Sequence, residues 1–259
     1  MTRVGLPGSR VLVIALLALV LSGPAFAGKK HDDMTNQELY DLAMRRIDKG
    51  SHYKARLLLE KLLKRANVEP SLVALAQLGL ADAYYGKKGL LNLTEAMSRY
   101  SSFLTFYPTH EMAAYAQYRL GLCHLQQVLA ADRDQRETHT AIEEFRRVQS
   151  VFPDSPYVDL AAEKIQEGSD LLAEHEYRVG VFYYDQKAYL GAIDRFLNIL
   201  DKFPRYTRKD RLYFHLGVSL LRTERTEEGE IYLLKLMETY PKSRHSTRAR
   251  TFLPGELEP

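Results

Sequence analysis

Residues 192–204 carry the sequence AIDRFLNILDKFP, in which a small residue, Ala192, is followed by a large apolar residue, Phe196, and then by Pro204. The same spacing recurs three more times along the chain. The other sets are Ala96, Tyr100 and Pro108; Ala141, Phe145 and Pro153; and Gly229, Leu233 and Pro241. This recurrence is typical of the second helix of a tetratricopeptide hairpin, in which the small residue permits close helix contact and the proline ends the helix.

Small residues also precede these second-helix positions by 12 residues, where the first helix of a hairpin packs: Gly180 precedes Ala192, and Gly217 precedes Gly229. The pattern predicts an all-α fold, a right-handed superhelical array of about five tetratricopeptide-like hairpins. We expect this repeat domain to occupy residues 35–251. The predicted hairpins are 35–70, 71–110, 111–157, 168–206 and 207–246.

The N-terminal residues resemble a bacterial export signal. Arg3 and Arg10 precede an apolar run at 11–21, and Ala25-Phe26-Ala27 supplies a small-x-small cleavage site. We therefore expect a cleaved signal peptide at 1–27. A flexible tail is expected at 28–34 and a second tail at 252–259.

A lipid anchor is not expected, because Leu21-Ser22-Gly23 resembles the start of a lipobox but Pro24 stands where the acceptor cysteine belongs. The protein is predicted to lie in the periplasm. Its association with the inner face of the outer membrane is expected to be indirect, through partners.

The composition gives little support to nucleic-acid binding or catalysis. The net charge is only +3, which does not predict a basic nucleic-acid-binding face. Gly86-Lys87-Lys88-Gly89 lacks the phosphate-loop pattern, and His139 with Glu143 supplies only two of the three or four ligands that zinc takes. We expect no enzyme activity, no cofactor and no metal. The single cysteine, Cys123, lies in an apolar helical stretch and is expected to be a buried thiol.

The register of the repeats also predicts which side chains face the groove lined by the first helices. The aromatic residues at these positions are Tyr40, Tyr85, Tyr115, Tyr118, Tyr177, Tyr184 and Phe214. Tyrosine suits a protein-binding surface because it combines a large contact area with a polar tip. The same spacing also fits tyrosines that pack against the next hairpin, and the sequence leaves both interpretations open.

Several motifs, in order, resemble the BamD family, the helical-repeat component of the β-barrel assembly machinery of the outer membrane. Tyr107-Pro108-Thr109-His110 is similar to the family's N-P-T-H turn, and Asp132-Arg133-Asp134 to its D-R-D insertion. Phe152-Pro153-Asp154-Ser155-Pro156-Tyr157 resembles Y-P-N-S-x-Y, and Leu172-Ala173-Glu174-His175-Glu176-Tyr177 with Tyr183-Tyr184 resembles L-A-x-x-E-Y…Y-Y. The start of the first repeat, Glu38-Leu39-Tyr40 through Gly50 and Ala55, is also similar. Pro24 departs from the family, whose members are typically lipoproteins.

The resemblance implies a non-catalytic scaffold that binds unfolded outer-membrane protein clients and the barrel insertase. It places Tyr40 and Tyr85 on the client side, in the N-terminal repeats. It places candidate insertase-docking residues in the C-terminal repeats: Arg205, Arg208, Arg222, Arg244 and Arg248. The alternative is a periplasmic repeat adaptor for another envelope process, such as Tol-Pal function or peptidoglycan maintenance.

Overall fold

The structure, a computed structural model, describes residues 30–87, 89–128 and 135–253. Within these ranges the chain forms α-helices and two short 3₁₀ turns, with no β-strand. The helices are α1 (Asn36–Asp48), α2 (His52–Leu63), α3 (Pro70–Tyr85), α4 (Leu90–Phe106), α5 (Ala113–Gln127), α6 (Arg136–Val151), α7 (Val158–Asp185), α8 (Tyr189–Lys202), α9 (Lys209–Leu221), α10 (Thr226–Thr239) and α11 (Arg244–Ala249). The predicted all-α fold is confirmed.

Successive helices pack as five hairpins, α1 with α2 through α9 with α10, and each hairpin packs on the next. Four of the second helices, α4, α6, α8 and α10, end at the aromatic residue before the proline. These residues, Tyr107, Phe152, Phe203 and Tyr240, share nearly the same backbone angles, with φ between −126° and −132° and ψ between 52° and 61°. A residue before proline is driven out of the helical region, so the sequence pattern predicts these helix ends.

The small and large residues of the pattern lie where the predicted register requires. Ala192 and Phe196 are fully buried, as are their counterparts in the other hairpins. A Cβ atom added to Gly217 would lie 3.0 Å from the carbonyl oxygen of Gly229, and one added to Gly121 would lie 2.7 Å from the Phe145 ring. The glycines are therefore required by close helix contact inside each hairpin.

The fourth hairpin begins earlier than expected, because α7 starts at Val158 rather than at residue 168. The first part of α7 packs on α6, where Gly168 brings the helix backbone close to Ile142. The remainder pairs with α8. No proline interrupts 158–185, so one continuous helix serves the third and fourth hairpins.

Part of the N-terminal segment that was predicted to be a flexible tail has a defined structure. His31–Asp33 forms a 3₁₀ turn, and Met34 is buried. The Arg65 guanidinium donates to the carbonyl oxygens of Met34 (2.6 Å) and His31 (2.9 Å). The expectation of a flexible tail at 28–34 is therefore wrong for His31–Met34, because α2 supplies hydrogen-bond donors that hold this segment.

The C-terminal end is covered by α11, which follows the last hairpin. Its Ala249 and the following Leu253 are buried against α9 and α10. The predicted tail at 252–259 therefore begins with packed residues. The predicted signal peptide, Pro24 and Asp132-Arg133-Asp134 lie outside the described residues. Among the described helices, none is long and apolar enough to cross a membrane.

Candidate protein-binding surface

The first helices α1, α3, α5, α7 and α9 form one side of the array, which we call the first-helix face. Its most closely connected aromatic group lies on α3 and α5. The guanidinium carbon of Arg119 lies 3.9 Å from the centre of the Tyr85 ring and 5.6 Å from that of Tyr115. Cation–π contact of this kind holds an arginine in place while its remaining N–H groups stay available.

The carboxylate of Asp82 supports this arrangement through hydrogen bonds. Asp82 accepts hydrogen bonds from the hydroxyls of Tyr100 (2.5 Å) and Tyr115 (2.8 Å), and the Arg119 Nε lies 3.6 Å from the same oxygen. Burial raises the pKa of Asp82, whereas Arg119 and the two hydroxyls oppose this shift by stabilising the carboxylate. The network joins α3, α4 and α5, so it fixes the positions of Tyr115 and Arg119.

Two further tyrosines extend the group along α5 and into the start of α7. The ring of Tyr118 stacks on that of Tyr157, with centroids 5.5 Å apart, and Tyr115 lies 5.7 Å from Tyr157. We call Tyr85, Tyr115, Tyr118, Tyr157 and Arg119 the N-terminal tyrosine cluster. The sequence analysis missed Tyr157, although it lies in a motif quoted above, and Arg119, whose only sequence signal is its spacing of four residues from Tyr115.

Tyr40 on α1 is half-buried against the core of the first hairpin. Burial raises the pKa of Tyr40 to about 12, and the Asp82 carboxylate contributes to the shift. The structure therefore brings four of the predicted groove residues, Tyr40, Tyr85, Tyr115 and Tyr118, onto neighbouring first helices. All four keep part of their surface exposed.

The C-terminal aromatic residues are more deeply packed. The Tyr177 hydroxyl lies 3.0 Å from Nδ1 of His215, and the Arg211 guanidinium carbon lies 4.1 Å from the Tyr177 ring. Only 6% of Tyr177 is exposed, which favours the packing interpretation over the groove interpretation for this residue. Tyr184 is half-buried and meets His215 edge-on, with ring centroids 5.0 Å apart.

Phe214 does not line the surface, and its assignment as a groove residue is wrong. Its side chain is fully buried. Phe252 and His245 cover it, with ring centroids 6.0 Å and 5.3 Å away, and Arg248 lies over its ring. These residues belong to α11 and the turn after it, elements that the repeat pattern did not include.

Two of the five arginines predicted for docking, Arg222 and Arg244, lie at the C-terminal end. Arg222 caps α9 and Arg244 begins α11, and both are exposed. A third arginine from the same set, Arg208, reaches within 3.8 Å of Glu174. Glu174 also accepts hydrogen bonds from Arg211 and from the Tyr206 hydroxyl (2.9 Å), so this part of the surface is held by ion pairs between α7 and α9.

A histidine and the single cysteine of α5 have structural positions. His124 pairs with Glu137 at 2.8 Å between α5 and α6. Burial raises the pKa of Cys123 to about 12, and the predicted buried thiol is confirmed. In the described parts of the chain, no group of three or more histidine, cysteine or acidic side chains could hold a metal ion.

The fold and this surface define a helical-repeat protein of the tetratricopeptide type, with a tyrosine-rich face along its first helices. The model of the family described as "YfiO: Outer membrane lipoprotein" matches residues 32–226, and the chain belongs to this family. Relatives include the outer membrane protein assembly factor BamD of Haemophilus influenzae, 27% identical over 94% of this chain and 92% of that protein. The Caulobacter vibrioides BamD is 26% identical, over 85% of this chain and 72% of its own length.

Solved structures of repeat proteins are more distant. A crystal structure of MamA is 18% identical and has a TM-score of 0.35, covering 80% of this chain and 92% of that one. YrrB, described as a tetratricopeptide protein with an unusual peptide-binding site, is 14% identical with a TM-score of 0.36, over 84% of this chain and 92% of its own. Neither score is high enough to compare binding surfaces.

Proposed function

We propose that this protein is a non-catalytic scaffold in the assembly of outer-membrane β-barrel proteins, where it binds unfolded clients and the barrel insertase. The observation that carries the proposal is the match to an assembly factor over 94% of the chain. That match extends over all five hairpins rather than one repeat, so it covers the surface described above as well as the general fold.

The N-terminal tyrosine cluster is the proposed client site. An unfolded barrel strand exposes backbone amides and alternating apolar side chains. Tyr85, Tyr115 and Tyr118 offer ring faces for the side chains and hydroxyls for the backbone. Arg119 offers N–H donors to carbonyl groups or to a C-terminal carboxylate. Asp82 and the stacked rings hold these groups in place before a client binds. Binding therefore costs the protein little side-chain entropy.

The C-terminal hairpin is the proposed insertase site. Arg222 and Arg244 are exposed at this end, beyond the fourth hairpin, whereas the tyrosine cluster lies on α3, α5 and the start of α7. Exposed arginines form bidentate contacts with carboxylates across protein interfaces. Clients and insertase can therefore bind the scaffold at the same time.

The proposed location is the periplasm, at the inner face of the outer membrane through these partners. The sequence basis is the export signal at 1–27 and the presence of Pro24 where the acylated cysteine of a lipoprotein would stand. Mass spectrometry of the protein recovered from cells tests this directly, since the expected N-terminus is an unacylated Gly28. An acyl chain or a retained apolar run would contradict it.

Binding of a peptide from the C-terminal strand of a barrel protein tests the client site. Replacing Tyr40 and Tyr85 with alanine should weaken binding roughly tenfold or more, because each lost aromatic anchor costs about 1–2 kcal/mol. Tyr53→Ala is the matched control, since Tyr53 is an exposed tyrosine on α2 (55% exposed), outside the first-helix face. Circular dichroism melting shows whether each variant is folded.

A pull-down of the purified insertase tests the proposed site on the C-terminal hairpin. Arg222→Glu with Arg244→Glu should weaken insertase capture and leave peptide affinity unchanged, whereas the tyrosine variant should show the opposite. If both double variants bind peptide and insertase as the parent does, the proposed sites are wrong. If folded tyrosine variants lose insertase capture alone, the assignment of the two ends is reversed.

A further inference from the structure

The outer side of α2, which faces away from the first-helix face, combines basic and apolar side chains. Tyr53 is 55% exposed and Leu57 is 49% exposed, although most residues of their size are buried in this protein. Lysines surround them on the same side of the helix: Lys54, Lys61 and Lys64. We call this surface, Tyr53, Lys54, Leu57, Lys61 and Lys64, the basic α2 face.

This segment carries a large excess of positive charge. Between His52 and Arg65 the sequence holds a single acidic residue, Glu60. The basic residues of the same stretch are Lys54, Arg56, Lys61, Lys64 and Arg65. Lys61 pairs with Asp32 at 2.5 Å, and Arg65 holds the N-terminal turn through its carbonyl oxygens. Lys54 and Lys64 are exposed, so they present their charge outward.

A cavity of about 450 Å³ lies at one edge of the face, among α1, α2 and the N-terminal turn. Leu57 and Leu58 form its apolar part. The remaining lining residues are basic: His31, Arg46, Lys54 and Lys61. A cavity with an apolar floor and a cationic rim matches an amphiphile with a negatively charged headgroup.

The opposite edge carries an arginine with unused hydrogen-bonding capacity. The Arg56 guanidinium carbon lies 4.3 Å from the centre of the Tyr84 ring and 5.5 Å from that of Tyr53. Its Nε is buried and has no hydrogen-bond partner among the residues that the structure describes. The ammonium of Lys87 approaches the other ring, 6.0 Å from the centre of Tyr53. Cationic groups therefore continue beyond α2 into the turn after α3.

The first residues that the structure describes lie at this same place. Arg65 and Lys61 hold residues 31–34 against α2, so this described segment lies beside the basic α2 face. The family to which the chain belongs is described as an outer membrane lipoprotein, and lipoproteins are attached to the membrane through their N-terminus. This description agrees with a membrane-facing role for the end of the array that carries the basic α2 face.

We propose that the basic α2 face binds the anionic surface of a phospholipid bilayer. Lys54 and Lys64 contact lipid phosphates through long side chains whose stems lie along the apolar surface. Tyr53 and Leu57 enter the boundary between headgroups and acyl chains, as on amphipathic helices that lie in the membrane interface. The face uses none of the residues assigned above to client or insertase binding, so this inference stands or falls separately from the proposed function.

Co-sedimentation of the purified protein with vesicles tests the proposal. Vesicles of phosphatidylethanolamine and phosphatidylglycerol should retain the protein, phosphatidylcholine vesicles should not, and retention should fall as salt screens the charges. Lys54→Gln with Lys64→Gln should lower the partition coefficient roughly tenfold or more, given the contribution of each lysine near an anionic surface. These two lysines are chosen because the pair between Lys61 and Asp32 then stays intact.

The matched control is Lys202→Gln with Lys242→Gln, which removes the same charge from exposed positions in the fourth hairpin and beyond the fifth. The control should bind vesicles as the parent does, and Leu57→Gln should weaken retention with no change in net charge. Equal losses in both lysine pairs would overturn the proposal, because net charge alone would then account for binding. It would also be overturned by displacement with inorganic phosphate at matched ionic strength, or by binding to polyglutamate without binding to any vesicle.

Discussion

Replacement of Gly180 by alanine directly tests the contact between α7 and α8. A Cβ atom at this position would lie 2.8 Å from Cδ1 of Phe196, closer than real Cβ contacts allow. Phe196 cannot easily move away, because it is fully buried and its ring packs against Tyr177 and His215, with centroids 5.8 Å and 6.1 Å away. The added methyl group must therefore displace the junction between the fourth and fifth hairpins.

The expected magnitude is the difference between two opposing effects. Overpacking of a well-filled core costs about 1–3 kcal/mol, whereas glycine to alanine within a helix gains up to about 1 kcal/mol. Gly191→Ala separates the two, because Gly191 lies in the neighbouring α8 and its added Cβ would meet Tyr183 at an ordinary 3.4 Å. Gly191→Ala should be neutral or stabilising, and Gly180→Ala should unfold at clearly lower urea concentration.

Urea denaturation followed by circular dichroism gives the free energy of unfolding for each variant. A second substitution provides the decisive test: Phe196→Leu makes room for the methyl group, so the loss caused by Gly180→Ala should be smaller in the Phe196→Leu background. Such non-additivity is the signature of residues in direct contact. If Gly180→Ala is as stable as the parent, or if the two losses simply add, the assigned contact between α7 and α8 is wrong.

Three further outcomes are expected for other buried residues of the array. Burial lowers the pKa of His215 from 6.5 to about 4, so between these values the unfolded chain takes up a proton that the folded chain does not. The contribution of His215 to the free energy of unfolding should therefore be fully present above pH 6.5. It should fall by about 2 kcal/mol on acidification from pH 7 to 5. His215→Gln should flatten that profile, and an unchanged slope would contradict the assignment. Cys123 should react with a thiol reagent only on unfolding, since burial raises its pKa to about 12; rapid modification of the native protein would contradict this. Ala192→Leu should destabilise by roughly 1–3 kcal/mol through overpacking, and a neutral result would contradict the register.

The repeats could be predicted from the sequence at positions where the residues themselves determine the local structure. A proline ends a helix by its own chemistry, and the aromatic residue before Pro204 is found at the helix end as expected. The start of α7 had no such signal, because tertiary packing on α6 rather than a local cap places it at Val158. Gly168, which looks like a helix breaker in isolation, is instead used for close packing on Ile142.

The candidate site was only partly predictable for a related reason. Helical spacing identifies which tyrosines share a face, and Tyr85 and Tyr115 do meet on that face through Arg119. Helical spacing does not indicate which rings are covered by an element that follows later in the chain. Phe214 occupies the same kind of position, but the short α11 and the turn that follows it lie over its ring. Burial by elements distant in sequence depends on the complete fold.

The proposed client and lipid surfaces are compatible because they lie on different helices: the client residues on first helices and the lipid-binding residues on α2. Tyr40 lies on α1, close enough to Asp82 of α3 for that carboxylate to raise its pKa, whereas Tyr53 and Leu57 project outward from α2. Lipid bound through α2 therefore uses none of the residues of the tyrosine cluster. The salt dependence of vesicle binding and the affinity for a client peptide should then vary independently, since Lys54→Gln with Lys64→Gln acts on the first and Tyr85→Ala on the second.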